Sequence, residues 1–245
     1  MVLEYKGLAF ESVDGLHRDG RKALEAVNPR REVPVLVDGE TVVANSAHIV
    51  AYLEDAYPLP SVLPGDASAR ARIREWERLA DTLLDPIVVD VSLWSWANRH
   101  DSPPAGLREA AARDLEAIYG LIEHQLDHHG DCLCGLLSLA DIALFPHLYA
   151  ARALKLGADP ATFPRTVAWI RRLAAMPLFA ADLDRLRTCL KTLGDDDGFD
   201  RDRIFWRGDR IEWLLANGFH RWFLEEIEQG RVLWPGVPSG GLHHP

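Results

Sequence analysis

Pro58, Pro60 and Pro64 fall within seven residues, and the hydrophobic period of the chain differs on either side of them. Proline lacks the amide hydrogen that helices and sheet ladders use, so no regular element is expected to cross residues 58–66. Before the prolines come short β-type runs at 8–13, 33–37 and 41–44, with Asp38-Gly39 standing between the last two as a hairpin requires. Helical patterns at 19–27 and 46–57 alternate with those runs, which makes this part α/β or α+β. After the prolines the period is helical throughout. One stretch covers 68–99, with Ile73, Trp76, Leu79 and Leu83 on one face and a bend near Pro86; others cover 105–129, 139–156 and 166–193, the last broken at Met176-Pro177. The expected class is α+β, with units at 1–57, 67–196 and 197–245 and a linker at 58–66.

The last unit opens on Asp195-Asp-Asp-Gly198, which has the look of a disordered tail, yet Trp206, Trp213, Trp222 and Trp234 are four of the eight tryptophans in the chain. Disordered segments are poor in aromatics. Ile211, Leu214, Leu215, Phe219, Trp222, Phe223 and Ile227 recur at helical spacing, with Asp209 and Glu212 placed as an N-cap and its partner. Asn217-Gly218 splits the pattern into two helices and Gly230 ends the second. An ordered helical appendage is expected, lying against the helical part near the mouth of a ligand groove.

Charge narrows the function classes. Lys plus Arg is 27 against 37 for Asp plus Glu, a net charge of −10. An acidic surface repels phosphate backbones and anionic lipid, so neither a nucleic-acid nor a membrane partner is expected. No apolar run approaches the roughly 18 residues of a membrane span. The first residues show no basic region followed by an apolar one. Three cysteines, an odd number, make no disulfide framework and fit a reducing compartment, so the expected location is cytoplasmic.

The stretch richest in chemistry runs from Asn28-Pro29-Arg30-Arg31-Glu32-Val33-Pro34-Val35-Leu36 to Asn45-Ser46-Ala47-His48-Ile49. Pro34 heads a strand, where its missing N–H leaves a ladder position open. If the Val33–Pro34 bond is cis, the Val33 backbone turns outward and can pair with an extended peptide. Asn45 and Ser46 open the next helix, whose free N–H groups and dipole favour a carboxylate, with Ser46 Oγ as a further donor. A strand-like edge beside a carboxylate site suits a short acidic peptide. A plain turn proline and a plain helix cap fit the same residues, and spacing alone leaves both open.

This run resembles the glutathione-binding half of glutathione S-transferases, with their NP-x-x-x-VP-x-L and ES-x-x-I-x-x-YL patterns. Leu136-Leu-Ser138-Leu-Ala-Asp141-Ile-Ala-Leu-Phe-Pro146 is similar to the family's buried helix in the helical half. There Ser138 caps the helix and Asp141 completes the box. The resemblance covers residues 1–193 and implies a thioredoxin-like domain followed by an all-helical one. It implies glutathione as co-substrate, held by Glu32, Val33, Pro34, Asn45 and Ser46, and a homodimer. Glu32 stands where the family commonly has Lys, and Asn45 where it has an acid. Residues 2–14 match the end of the family's first helix and its second strand. On that alignment the first strand and the activating Ser, Cys or Tyr are missing, so no catalytic residue is assigned. A gap is then expected between residues 8–13 and 33–37, with the first strand displaced or poorly ordered.

The resemblance implies an enzyme that transfers a glutathione thiol to a small apolar electrophile, or a thiol-dependent lyase or isomerase. The alternative is a catalytically inactive binding or assembly module of the same fold; a start upstream of Met1 is a third reading. Two other constellations weigh less. His124, His128, His129, Asp131, Cys132 and Cys134 cluster in sequence, but the Cys spacing is too narrow for the usual zinc knuckle and no second cluster follows, so no metal is expected. Trp94 and Trp96 fit core or interface packing better than a ligand pocket.

Overall fold

The computed structural model describes residues 1–15, 18–96, 99–192 and 203–234, and the hairpin expected at Asp38-Gly39 is present. Strands β1 (Val35–Asp38) and β2 (Thr41–Ala44) pair antiparallel, with Val35 opposite Ala44 and Asp38 opposite Thr41. Gly39 takes a φ of 59°, which the tight turn needs and glycine supplies without steric cost. Among the described residues β1 pairs with β2 alone. Residues 8–13, expected as a strand, form none. A strand exists only where a neighbour takes its N–H and C=O groups, and β1 does not reach this segment.

Helix α1 (Val2–Tyr5) is a single turn, α2 is Arg18–Val27 and α3 is Ser46–Ala56. Lys6 ties the first segment down. Its buried ammonium donates to Tyr57 O at 2.7 Å and Pro60 O at 3.1 Å, and meets Glu54 Oε1 at 2.7 Å. Glu54 accepts in turn from Val62 N at 3.0 Å and Ser61 Oγ at 2.5 Å, so one carboxylate organises the proline segment.

Beyond the prolines, α4 (Ala67–Leu79) passes through one π-helical turn (Ala80–Leu84) into α5 (Asp85–Trp96). The irregularity of this long stretch falls just before Pro86, whose missing N–H breaks the α ladder. Then come α6 (Leu107–His129), α7 (Leu139–Ala153), α8 (Pro164–Ala175) and α9 (Pro177–Thr192). Leu84, Leu93, Leu115, Ile122, Phe145, Trp169 and Phe179 are fully buried between them. Asp141 is buried at the start of α7 and accepts from Ser138 N at 3.1 Å, Leu133 N at 3.1 Å and Trp169 Nε1 at 3.0 Å. Burial pushes its carboxyl up while those hydrogen bonds oppose the shift. No described helix is long and apolar enough to cross a membrane.

The appendage carries β3 (Ile204–Phe205), α10 (Gly208–Ala216), α11 (His220–Glu228) and β4 (Val232–Leu233), with β3 and β4 parallel. Gly218, at a φ of 84°, separates the helices as expected, and Gly230 follows the second. Asp209 is not the N-cap: Arg207 holds that position and Asp209 lies in the first turn, its carboxylate 2.8 Å from Arg207 Nη2. Trp206 is 1% exposed, and an aromatic so buried stabilises the docked tail by roughly 2–3 kcal/mol. Trp94 stacks on Trp222 with centroids 5.8 Å apart, in keeping with packing, while the Trp96 side chain lies outside the description. The boundary expected at 196–197 also lies outside the described residues.

Candidate functional site

The site is built where β1, β2 and α3 meet. The Val33–Pro34 bond is cis, as expected. Val33 is half exposed, and its N–H and C=O make no hydrogen bond within the described residues. Pro34 O accepts from Asn45 N at 3.1 Å, which fixes the strand's entrance against the start of α3. Asn45 has a φ of 78°, in the left-handed region that Asn tolerates better than most residues. Its Oδ1 caps the helix by accepting from Ala47 N at 3.0 Å. Ser46 beside it is exposed, and its Oγ has no partner among the described residues. Val33, Pro34, Asn45 and Ser46 are therefore neighbours, with the Val33 main chain on one side and, on the other, the Asn45-capped start of α3 carrying the exposed Ser46 hydroxyl.

Glu32 is paired within its own loop. Its two oxygens accept from Arg30 Nε at 2.9 Å and Arg30 Nη2 at 3.0 Å, so its charge is neutralised in a bidentate pair. That hydrogen bond raises the Arg30 pKa. Glu32 does not line the adjoining groove. Arg30 is thus a neighbour of the site that spacing did not single out; the one available signal was an acid two residues after a base in a tight loop. Asp38 was passed over as well. Its Oδ2 accepts from Tyr52 OH at 2.8 Å and Tyr57 OH at 2.6 Å, pinning the hairpin to α3. The Tyr57 bond, then the Tyr52 bond, lowers the Asp38 pKa, and both phenols are raised in return.

A groove of about 850 Å³ opens beside Val33 and Pro34. One wall is residues 8–15, the other 33–38, and Ala23, Leu24 and Val27 of α2 line it with Leu53 of α3. This is the gap expected between 8–13 and 33–37. Of the hydroxyls that line it, Tyr57 is tied to Asp38, and Ser12 has no hydrogen-bond partner among the described residues.

The tail comes to the same neighbourhood without filling the groove, since no described residue of the tail lines it. The guanidinium of Arg31 lies 5.2 Å from the centre of the Phe205 ring, two residues before Val33. From there the tail runs along α5 and α6. Buried Arg210 donates to Asp90 Oδ1 at 2.8 Å through Nε, Trp213 Nε1 to Asp114 at 2.9 Å, and Arg99 to Glu226 at 2.6 Å.

The His and Cys cluster does not assemble. His124 and His128 stack edge to face at 4.6 Å, but no group of three metal-ligating side chains comes together among the described residues. Burial pushes the Cys132 and Cys134 thiols up to about 11, so neither is a thiolate at neutral pH.

Comparison with known proteins adds to this geometry. Residues 1–61 match the family model for the N-terminal domain of glutathione S-transferase and residues 105–172 the model for its C-terminal domain. The chain is 33% identical over 184 residues to a maleylacetoacetate isomerase of Pseudomonas aeruginosa, spanning 71% of this chain and 82% of that one. It is 27% identical over 184 residues to a zeta-class glutathione S-transferase of Euphorbia esula, spanning 73% and 80%. Among solved structures, a bacterial maleyl pyruvate isomerase, a zeta-class glutathione S-transferase, superposes with a TM-score of 0.59 at 25% identity, over 73% of this chain and 86% of that one. The tail from residue 203 onward lies outside both family-model matches.

Proposed function

Since this chain belongs to the glutathione S-transferase family, we propose that it binds glutathione at Val33 and Ser46 and acts as a thiol-dependent isomerase on a small unsaturated electrophile. The observation that carries the reading is the Val33 main chain, unpaired among the described residues, held beside the exposed Ser46 hydroxyl at the start of α3 by the Asn45–Pro34 bond. These groups fit an acidic tripeptide. Val33 offers a strand-like edge, and the Ser46 hydroxyl and helix dipole offer a carboxylate seat. Arg30 removes the repulsion that Glu32 would otherwise exert on an anion. When bound, glutathione supplies a thiol able to add reversibly to an activated double bond. The protein's part is to hold the tripeptide backbone, keep the hairpin fixed through Asp38, and shelter the groove.

The names of the relatives support a maleyl-type substrate, an acid with a conjugated double bond. The same reading takes residues 1–57 as the thiol-binding unit and 67–196 as the helical one, and places the protein as a C2 homodimer in the cytoplasm. Calorimetric titration with glutathione tests the binding step, and conversion of maleylacetoacetate to its trans isomer in the presence of glutathione, followed by chromatography, tests turnover. Heat of binding with turnover supports the proposal, and no heat overturns it.

One observation favours a second reading. The outer edge of β1 pairs with nothing among the described residues, which suits a binding or assembly module of the same fold. Glutathione binding without turnover would select that reading.

A further inference from the structure

We infer that the cleft between the C-terminal end of α7 and helix α8 binds a small organic dianion with an apolar body. The cleft measures about 330 Å³ and shares no residue with the groove beside Val33. Its floor is apolar, from Leu148, Val167 and Ile170, and its rim carries Arg152, Lys155 and Arg171.

Those three cations have no carboxylate or hydrogen-bond partner among the described residues. What sets them apart is that all three gather on the rim of one cleft. The neighbouring arginines are all engaged: Arg165 with Asp127 at 2.6 Å, Arg172 with Asp131 at 2.9 Å, and Arg108 with Leu154 O at 2.7 Å. The nearby acid, Asp159, is turned into its own loop, accepting from Ala161 N at 3.1 Å and Thr162 Oγ1 at 2.9 Å. The α7 dipole favours cations at its C-terminal end, which accounts for Arg152 and Lys155. It does not account for Arg171, which reaches the same cleft from the next helix.

The local backbone supports a receptive site. Lys155 follows the C-cap of α7 with a φ of 61°, in a double-bonded helix ending: Leu156 N donates to Ala151 O at 2.9 Å and Lys155 N to Arg152 O at 3.0 Å. That position normally goes to Gly or Asn, and here it carries a charge to the rim. The amides of Gly157 and Ala158, also lining the cleft, donate to no group among the described residues. A Cβ on Gly157 would stand 3.2 Å from Arg152 Cα and Cβ, so the missing side chain lets Arg152 lie close against this turn.

Chemistry follows from size and charge. About 300 Å³ is the lower end for small-molecule pockets, which suits a single ring or short chain. Three cations and two free amides call for two negative charges, as on a phosphate monoester near neutral pH. The apolar floor calls for a body that inorganic phosphate lacks.

The test is calorimetric titration of the whole protein with phenyl phosphate, with inorganic phosphate as the comparison. One-to-one binding of phenyl phosphate, tighter than inorganic phosphate, is expected. Arg171→Gln should weaken it about fivefold, the upper range for one exposed charge, and Arg152→Gln with Arg171→Gln about twentyfold. Gly157→Ala, which displaces Arg152 and leaves every charge in place, should weaken it as well. No heat with phenyl phosphate, equal affinity for inorganic phosphate, or unchanged binding in the double variant would each overturn the inference.

Discussion

Replacing Arg210 by Met tests how the tail is held. Arg210 and Asp90 are 120 residues apart, and their side chains are 5% and 1% exposed. The guanidinium also donates to Phe205 O at 2.9 Å and lies 4.4 Å from the centre of the Trp206 ring. Asp90 Oδ2 has no partner, so Arg210 is what compensates this carboxylate. Removing one member of a buried pair leaves the other charge uncompensated, at a cost of about 3–5 kcal/mol. With a urea slope of about 3 kcal/mol per molar, the unfolding midpoint read by tryptophan fluorescence should fall by about 1–1.7 M. The double variant Asp90→Leu with Arg210→Met should recover most of that loss, because two apolar groups of similar volume need no compensation.

The same pair sets a pH dependence. Burial pushes the Asp90 carboxyl up to about 6 despite the attraction of Arg210. The unfolded carboxyl titrates near pH 4, so the native state binds the extra proton between these values. Its stabilising contribution is therefore full below about pH 4 and is lost as pH rises through about 6. Without Arg210 the native carboxyl rises further, so the deficit of the Met variant should grow between pH 5 and 8. A deficit under about 1 kcal/mol, or one that stays flat over that pH range, would refute the claim that this pair is desolvated.

Asn45→Ala should lower thermal stability by about 2 kcal/mol, from a lost cap and a side chain that tolerates a positive φ poorly, whereas Asn45→Gly should cost only a few tenths. Glu32→Gln should tighten glutathione binding and Arg30→Ala should weaken it, each by up to about fivefold, as measured by calorimetry. Ser46→Ala should weaken the same binding about tenfold, the loss of one hydrogen bond to a charged group. Asp141→Ala strands the buried donors of Ser138, Leu133 and Trp169, and should cost at least about 3 kcal/mol in urea unfolding.

What could be read from the sequence was set by contacts between near neighbours. The turn at Asp38-Gly39, the Ser138–Asp141 box, the break at Met176 and the helix split at Gly218 each depend on residues within one turn of one another. So does the cap at Asn45, which is why Val33, Pro34, Asn45 and Ser46 stand together as their spacing implied. Residues 8–13 have the composition of a strand, but composition cannot supply the neighbour whose N–H and C=O a strand needs. Glu32 carried a charge whose effect depended on Arg30 folding back over it. Asp209 was a sound cap by spacing, yet Arg207 begins the helix and turns to Asp85 and Asp209. The tail's aromatics showed that it must bury a face. That the face meets α5, with Arg210 on Asp90 and Phe205 on Arg31, was decided only when segments more than a hundred residues apart were packed together.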